Sequence, residues 1–178
     1  MILLSTYISS GIHYLINLIP LAFITFISYL GLTFLIKRNL KLSLMLALCQ
    51  FTWIWIVLTI LFITGILGAH FDFSLLTNGY VLYSLNLFEE GITPATLLNL
   101  ILFIPYGFLS TIIFKKVREG WSYAVLVGLT FTVTIESLQI FIGRFVQLED
   151  ILMNTLGTYI GYLLCTQVLR LKTKFYLL

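Results

Sequence analysis

Six polar side chains that could bind a ligand lie in the second half of an otherwise apolar sequence. They combine acids, amides and a guanidinium: Asn99, Glu136, Gln139, Arg144, Asp150 and Asn154. A carboxylate at the centre of a membrane helix costs about 2.5–3.5 kcal/mol, so Glu136 should face the helix bundle, either protonated or paired. Arg144 could pair with Glu136, and Asp150 competes for it. An arginine between two acids is suited to hold a carboxylate or phosphate.

Composition places these residues in a membrane protein. The chain has 178 residues, of which 60% are hydrophobic and 10% charged, and its mean hydropathy is +1.07. Soluble domains are about 25% charged. The apolar residues form long blocks rather than alternating, which favours helices over a barrel. We predict an all-α, polytopic membrane helix bundle in which residues 1–178 form one domain, with no nucleic-acid partner, since the basic residues flank the apolar blocks.

About five apolar stretches are long enough to cross a membrane as helices: 14–36, 42–67, 97–114, 121–142 and 150–169. Basic residues follow the first, third and fifth stretches: Lys37, Arg38, Lys41, Lys115, Lys116, Arg118, Arg170, Lys172 and Lys174. The positive-inside rule makes this side cytoplasmic, with the N-terminus outside and the C-terminus inside. Arg144 is then the one cation on the outer side.

Helical periodicity places the polar residues on three facing stripes near the outer ends of the spans. The stripes are Asn99–Phe103–Gly107–Ser110, Gly128–Thr132–Glu136–Gln139 and Asp150–Asn154–Gly157–Gly161. Small residues allow close helix contact, so a packing role is predicted for Gly107, Gly157 and Gly161. Phe103 belongs to the same packing set, and Pro105 predicts a kink. Each amide taken alone could simply join two helices.

The segment from about 68 to 96 is rich in aromatic residues. Two interpretations stay open: a short amphipathic or re-entrant helix in the outer interface, or an ordinary loop with aromatic anchors.

Three linked motifs resemble the VanZ-like family: NLILFIPYGFL (Asn99 to Leu109), ESLQIFIGR (Glu136 to Arg144) and EDILMNTLGTYIGY (Glu149 to Tyr162). The resemblance covers about residues 97–164, which we interpret as a VanZ-like core formed by the last three spans. It implies a multi-pass protein of the bacterial cytoplasmic membrane. The family is named for a member that gives low-level resistance to teicoplanin, an antibiotic that binds cell-wall precursors outside the membrane.

Two functions follow from these residues. The first is a non-enzymatic binding protein whose outer polar cleft recognises an anionic lipid, a lipid-linked wall precursor or a lipoglycopeptide. In it Arg144 holds the anion, while the amides of Gln139, Asn99 and Asn154 donate hydrogen bonds to it. The alternative is a membrane-embedded enzyme acting on a lipid-linked phosphate or amide, with Glu136 and Asp150 as catalytic groups.

The binding protein is favoured over the enzyme because no clear nucleophile accompanies the acids. Glu136, Glu149 and Asp150 could bind a hard cation. No metal-ligand motif accompanies them, and no metal or cofactor is predicted. The oligomeric state is not indicated by the sequence.

Overall fold

The computed structural model describes residues 15–38, 43–88 and 91–175, with the side chains of Lys37 and of residues 172–175 excepted. Lys41, Glu89 and Glu90 lie outside the described residues, as do the side chains of Lys172 and Lys174. The elements in chain order are α1 (Ile19–Lys37), α2 (Leu44–Ile63), α3 (Ser74–Thr77), β1 (Tyr83–Ser84), α4 (Pro94–Ile113), α5 (Lys115–Glu119), α6 (Trp121–Ile140), β2 (Val146–Gln147) and α7 (Leu148–Phe175).

The prediction of an all-α membrane bundle is confirmed. Four helices are long and apolar enough to cross a membrane: Leu15–Ile36, Leu44–Ile63, Pro94–Ile113 and Trp121–Ile140. The fifth predicted span falls within α7, which is 28 residues long but is not among these four. The number of spans and the orientation of the termini therefore stay predictions.

The chain divides into two compact units, Met1–Ile60 and Leu61–Leu178. In the first unit, the Phe26 and Phe51 rings pack edge to face with their centroids 5.8 Å apart. The Trp55 indole N–H donates to the Leu15 carbonyl over 2.9 Å. Within that unit, the ring contact joins α1 to α2, and the indole hydrogen bond joins α2 to the residues just before α1. The interpretation of residues 1–178 as one domain stays a prediction.

In the second unit, α4 packs against α7 along a contact that we call the glycine seam, formed by Gly107, Gly157 and Gly161. A Cβ atom added at any of the three would collide with backbone atoms of the facing helix. The helices can therefore approach backbone to backbone only because these side chains are absent. Phe103 is 1% exposed and lies beside the Tyr106 ring, with centroids 5.9 Å apart. Pro105 lies inside α4, which continues to Ile113.

Several helix ends differ by a few residues from the predicted bounds, and two of them have a clear local reason. The second span was expected to reach residue 67, but α2 ends at Ile63 because Gly65 adopts a left-handed φ of 76°. The third was expected to begin at residue 97. Instead α4 begins at Pro94, because the Thr93 hydroxyl caps it by accepting from the Thr96 N–H at 3.2 Å.

The segment between α2 and α4, which we call the connecting segment, is attached to the turn that follows α6. Its one-turn helix α3 is preceded by Asp72, whose N–H donates to the Phe141 carbonyl over 2.7 Å. Further on, β1 pairs in parallel with β2, with Tyr83 opposite Val146. The described part of this segment combines features of the two predicted interpretations, a short helix of four residues (α3) and otherwise mostly irregular chain, and neither interpretation is decided by it. The backbone pairing was not predicted.

Candidate functional site

A polar cavity of about 420 Å³ lies in the second unit, where α6 ends and α4 and α7 begin. All the residues predicted to bind a ligand line it: Asn99, Glu136, Gln139, Arg144, Asp150 and Asn154. The basic residues Lys115, Lys116 and Arg118 lie between the other ends of α4 and α6. By the positive-inside rule, the cavity would open toward the outer side. The packing residues Phe103, Pro105 and the glycine seam are not part of its lining.

Glu136 lies in the last turns of α6 and is 3% exposed. The chain reverses after α6, helped by the left-handed φ of 68° at Gly143 and by the Arg144 N–H, which donates to the Gln139 carbonyl at 3.1 Å. This turn returns the chain to the cavity. The Gln147 N–H then donates to Glu136 Oε2 over 3.1 Å. The backbone N–H of Gln147 thus holds the buried carboxylate of Glu136 in place.

Arg144 is exposed and lines the same cavity, but it does not form the direct pair that the sequence predicted. Within the described residues, the one ion pair shorter than 4.0 Å joins Lys115 and Glu119. The Arg144 guanidinium lies instead against Gly65: a Cβ added there would be 2.5 Å from Nη1. Arg144 still interacts electrostatically with Glu136 and Asp150. The physical reason for the difference is that Gln147 holds Glu136 Oε2 while Gly65 leaves room for the guanidinium.

Asp150 and Asn99 link the first turn of α7 to the second turn of α4. The Asn99 Nδ2 donates to Asp150 Oδ1 over 2.6 Å. Asp150 also lies in the first turn of α7, where a negative charge is favoured by the helix dipole. The contact holds two helix ends at the cavity mouth, and it uses the Asn99 group that was expected to donate to a ligand.

Gln139 and Asn154 also direct a donor into the protein rather than toward a ligand. Gln139 Nε2 donates to the Thr64 carbonyl over 3.1 Å, and Asn154 Nδ2 donates to Thr132 Oγ1 over 2.9 Å. Their oxygens, Gln139 Oε1 and Asn154 Oδ1, are buried with no hydrogen-bond partner among the described residues. One N–H of each amide is therefore used within the protein, and the role of these amides in donating to a ligand stays a prediction.

Glu149 was not among the predicted binding residues, yet it lines the cavity and secures its wall. Its Oε2 accepts from the Phe88 N–H over 3.2 Å, and its Oε1 accepts from the Thr96 hydroxyl over 3.3 Å. It thereby ties the connecting segment and α4 to α7. The pair Thr93-Pro94 is typical of a helix start, so the beginning of α4 beside Glu149 could have been predicted from the sequence. Nothing in the sequence indicated the contact with Phe88.

The cavity is lined by three carboxylates (Glu136, Glu149 and Asp150) and one guanidinium. Across the described ranges, no group of three or more His, Cys, Asp or Glu side chains is placed to hold a metal ion. The hard-cation alternative therefore gains no support from the geometry. By its chemistry, the guanidinium could donate to a polar group in the cavity, and the carboxylates could accept from one.

The fold and the site define a helical membrane protein with a polar cavity at one end of its bundle. The sequence model of the VanZ/LLP1 family matches residues 3–170, so the chain belongs to this family. That match extends well beyond the 97–164 region that carries the motifs. No curated protein and no solved structure matches the chain.

Proposed function

We propose that this protein is a binding protein of the bacterial cell envelope rather than an enzyme. Its polar cavity takes up the anionic group of a membrane lipid, a lipid-linked wall precursor or a lipoglycopeptide. The protein would lie in the cytoplasmic membrane with the cavity toward the outer leaflet, where teicoplanin meets its precursor. Through such binding it would contribute to glycopeptide resistance.

The position of Arg144 in the cavity is the observation that supports this proposal. It lines the cavity without an ion pair shorter than 4.0 Å to any acid in the described chain, and its side chain is exposed. A guanidinium presents several N–H donors in a planar fork that matches phosphate and carboxylate. The positive charge is thus placed where a ligand can reach it.

The cavity volume limits what can enter. Small-molecule sites usually measure about 300–1,000 Å³, and this cavity of about 420 Å³ is near the small end of that range. A lipid headgroup fits this volume. Of a larger molecule, such as a lipoglycopeptide, only one polar substituent would enter while the rest stayed in the membrane interface.

The enzymatic alternative would use Glu136 and Asp150 as acid and base. In the structure, each of these carboxylates accepts a hydrogen bond from the protein, Glu136 from the Gln147 N–H and Asp150 from the Asn99 amide. These contacts suit both acids to orienting the cavity lining, and no clear nucleophile accompanies them in the sequence. We therefore expect purified protein to bind lipid-linked phosphates without converting them.

The test is lipid binding by the purified protein in nanodiscs, followed by native mass spectrometry. Arg144→Ala should weaken retention of a phosphate-bearing lipid by about tenfold or more, since a charge-assisted hydrogen bond contributes about 1.5–3 kcal/mol. Arg144→Lys keeps the positive charge but loses the planar fork of N–H donors. Its lipid retention should therefore lie between that of wild type and that of Arg144→Ala.

Arg118→Ala is the matched control, because it removes an arginine at the opposite end of the bundle, where Arg118 donates to the Ile112 carbonyl. It should leave lipid retention unchanged. Equal retention by wild type and Arg144→Ala, at equal protein abundance, would contradict the proposal.

A further inference from the structure

We propose that the cavity recognises a zwitterionic headgroup, a phosphate that carries a primary ammonium, with the ammonium held by the acceptors behind Arg144. This inference rests on the proposed function and narrows its ligand class. A headgroup with only an anionic group would accept hydrogen bonds from Arg144 but would offer no donor to the acceptors that also line the cavity.

The buried amide oxygens are the first observation. Gln139 and Asn154 are 6% and 2% exposed, and within the described residues Gln139 Oε1 and Asn154 Oδ1 have no hydrogen-bond partner. The orientation of the Gln139 amide is fixed by chemistry, because its other end meets the Thr64 carbonyl, which can only accept. The Thr132 hydroxyl beside the Asn154 amide can donate as well as accept, so Gln139 Oε1 is the acceptor whose lack of a donor does not depend on how the amide is oriented. A buried acceptor without a donor is costly, and Gln139 lines the cavity, so an ammonium that reached Gln139 Oε1 would remove this cost.

The charges are the second, independent observation. Three carboxylates line the cavity against one guanidinium. Glu136 accepts a hydrogen bond from the Gln147 N–H and Asp150 accepts one from the Asn99 amide, whereas a carboxylate offers about four acceptor sites. A ligand that carried only an anionic group would therefore meet an excess of negative charge in the cavity. An ammonium supplies three N–H donors and a positive charge together.

Burial gives the ligand a direction. Arg144 is exposed, while Glu136, Gln139 and Asn154 are all buried. The phosphate would therefore stay at the accessible guanidinium, and the ammonium would point toward the buried acceptors. This order places the acyl chains of a lipid away from the polar cavity.

The experiment changes the number of N–H donors while the net charge of the lipid stays constant. Nanodiscs would carry phosphatidylethanolamine or its mono-, di- and trimethylated forms, with phosphatidylglycerol as an anion without ammonium. Wild-type protein should retain phosphatidylethanolamine about tenfold better than the trimethylated lipid, with retention falling at each methylation. Phosphatidylglycerol should be retained less well than phosphatidylethanolamine.

Two variants separate this inference from the proposed function. Glu136→Gln exchanges an acceptor for an amide, so it should reduce the preference for ammonium and raise the relative retention of phosphatidylglycerol. Arg144→Ala should weaken all phosphate lipids together. Ser137→Ala, which removes an exposed hydroxyl bonded to the Val133 carbonyl on the same helix, should leave every ratio unchanged.

Equal retention across the methylated series, with binding still dependent on Arg144, would overturn the zwitterion inference and leave the proposed function standing. Binding that is independent of Arg144 would overturn the proposed function itself. Soluble phosphoethanolamine identifies the source of the group. Displacement of the lipid would show that free headgroup is recognised, and no displacement with the lipid preference intact would assign recognition to membrane lipid. Either of those two results supports ammonium-phosphate recognition.

Discussion

The α4–α7 pair makes two contrasting contacts along its length. At the glycine seam, backbone meets backbone, and an added Cβ at Gly161 would lie 2.6 Å from the Phe108 nitrogen. Near their first turns, the same helices are joined by polar side chains around a cavity of about 420 Å³. Close packing in one region thus coexists with unfilled volume and unpartnered acceptors in the other.

The difference shows how a membrane helix pair can tolerate a polar site. Apolar helices gain little from burial in lipid, so their association depends on close packing and interhelical hydrogen bonds. The glycine seam supplies the packing and holds the two axes at a short distance. The polar residues at the cavity can then be arranged for a ligand, because the helix contact does not depend on them alone.

Breaking the glycine seam should have the largest effect. Gly161→Ala places a methyl group against the Ile104 carbonyl and the Phe108 nitrogen, both backbone atoms that cannot rotate away. The helices must separate, and we expect a loss of about 3 kcal/mol or more in the free energy of unfolding. Denaturant unfolding of the purified protein in detergent measures this loss.

The matched control is Gly31→Ala in α1, where an added Cβ meets nothing within 4 Å. Alanine is favoured over glycine in a helix by about 0.5–1 kcal/mol, so this variant should be as stable as wild type or slightly more so. Equal stability of Gly161→Ala and Gly31→Ala would show that the seam is not a close backbone contact.

Loosening the wall of the cavity should have an intermediate effect. Glu149→Ala removes the acceptor for the Phe88 N–H and for the Thr96 hydroxyl. We expect a loss of about 1.5–3 kcal/mol, since bonds to a charged group are among the stronger ones. Hydrogen exchange at the Phe88 amide should accelerate more than exchange in α4.

Glu119→Ala is the control for the removal of an acid. Glu119 pairs with Lys115 at 3.8 Å, and both side chains are largely exposed. Such surface pairs contribute about 0–1 kcal/mol. If Glu149→Ala cost no more than Glu119→Ala, the contacts of Glu149 would not stabilise the cavity wall.

The sequence predicted which residues share the cavity, but it did not predict which atoms they contact. Helical spacing of three and four predicts Glu136 and Gln139 on one face of α6 and Asn154 on a face of α7, and the structure brings both faces to one cavity. The actual partner atoms were not predictable. Arg144 lies beside Gly65 and Glu149 beside Phe88, two residues of the connecting segment. The strand β1 of this segment and its partner β2, which follows α6, are only two residues long each. Strands that short carry no readable pattern.

The smallest expected change in stability, and the most selective test of the cavity, comes from a comparison of Gly65→Ala with Gly68→Ala. Both glycines have a left-handed φ, 76° and 84°, so alanine should cost each about 1–2 kcal/mol. They differ in what an added Cβ would meet. At Gly65 it would lie 2.5 Å from Arg144 Nη1, whereas at Gly68 nothing lies within 4 Å.

The two variants should therefore unfold at nearly the same denaturant concentration yet differ in lipid retention, with Gly65→Ala weaker by about threefold to tenfold. The reason is that the guanidinium is the flexible partner in this contact, so it moves and the helices do not. Retention that falls equally in both variants would mean that the connecting segment acts through its backbone conformation. A decrease confined to Gly65→Ala would show that the position of Arg144, and not the stability of the fold around it, sets the affinity of the cavity.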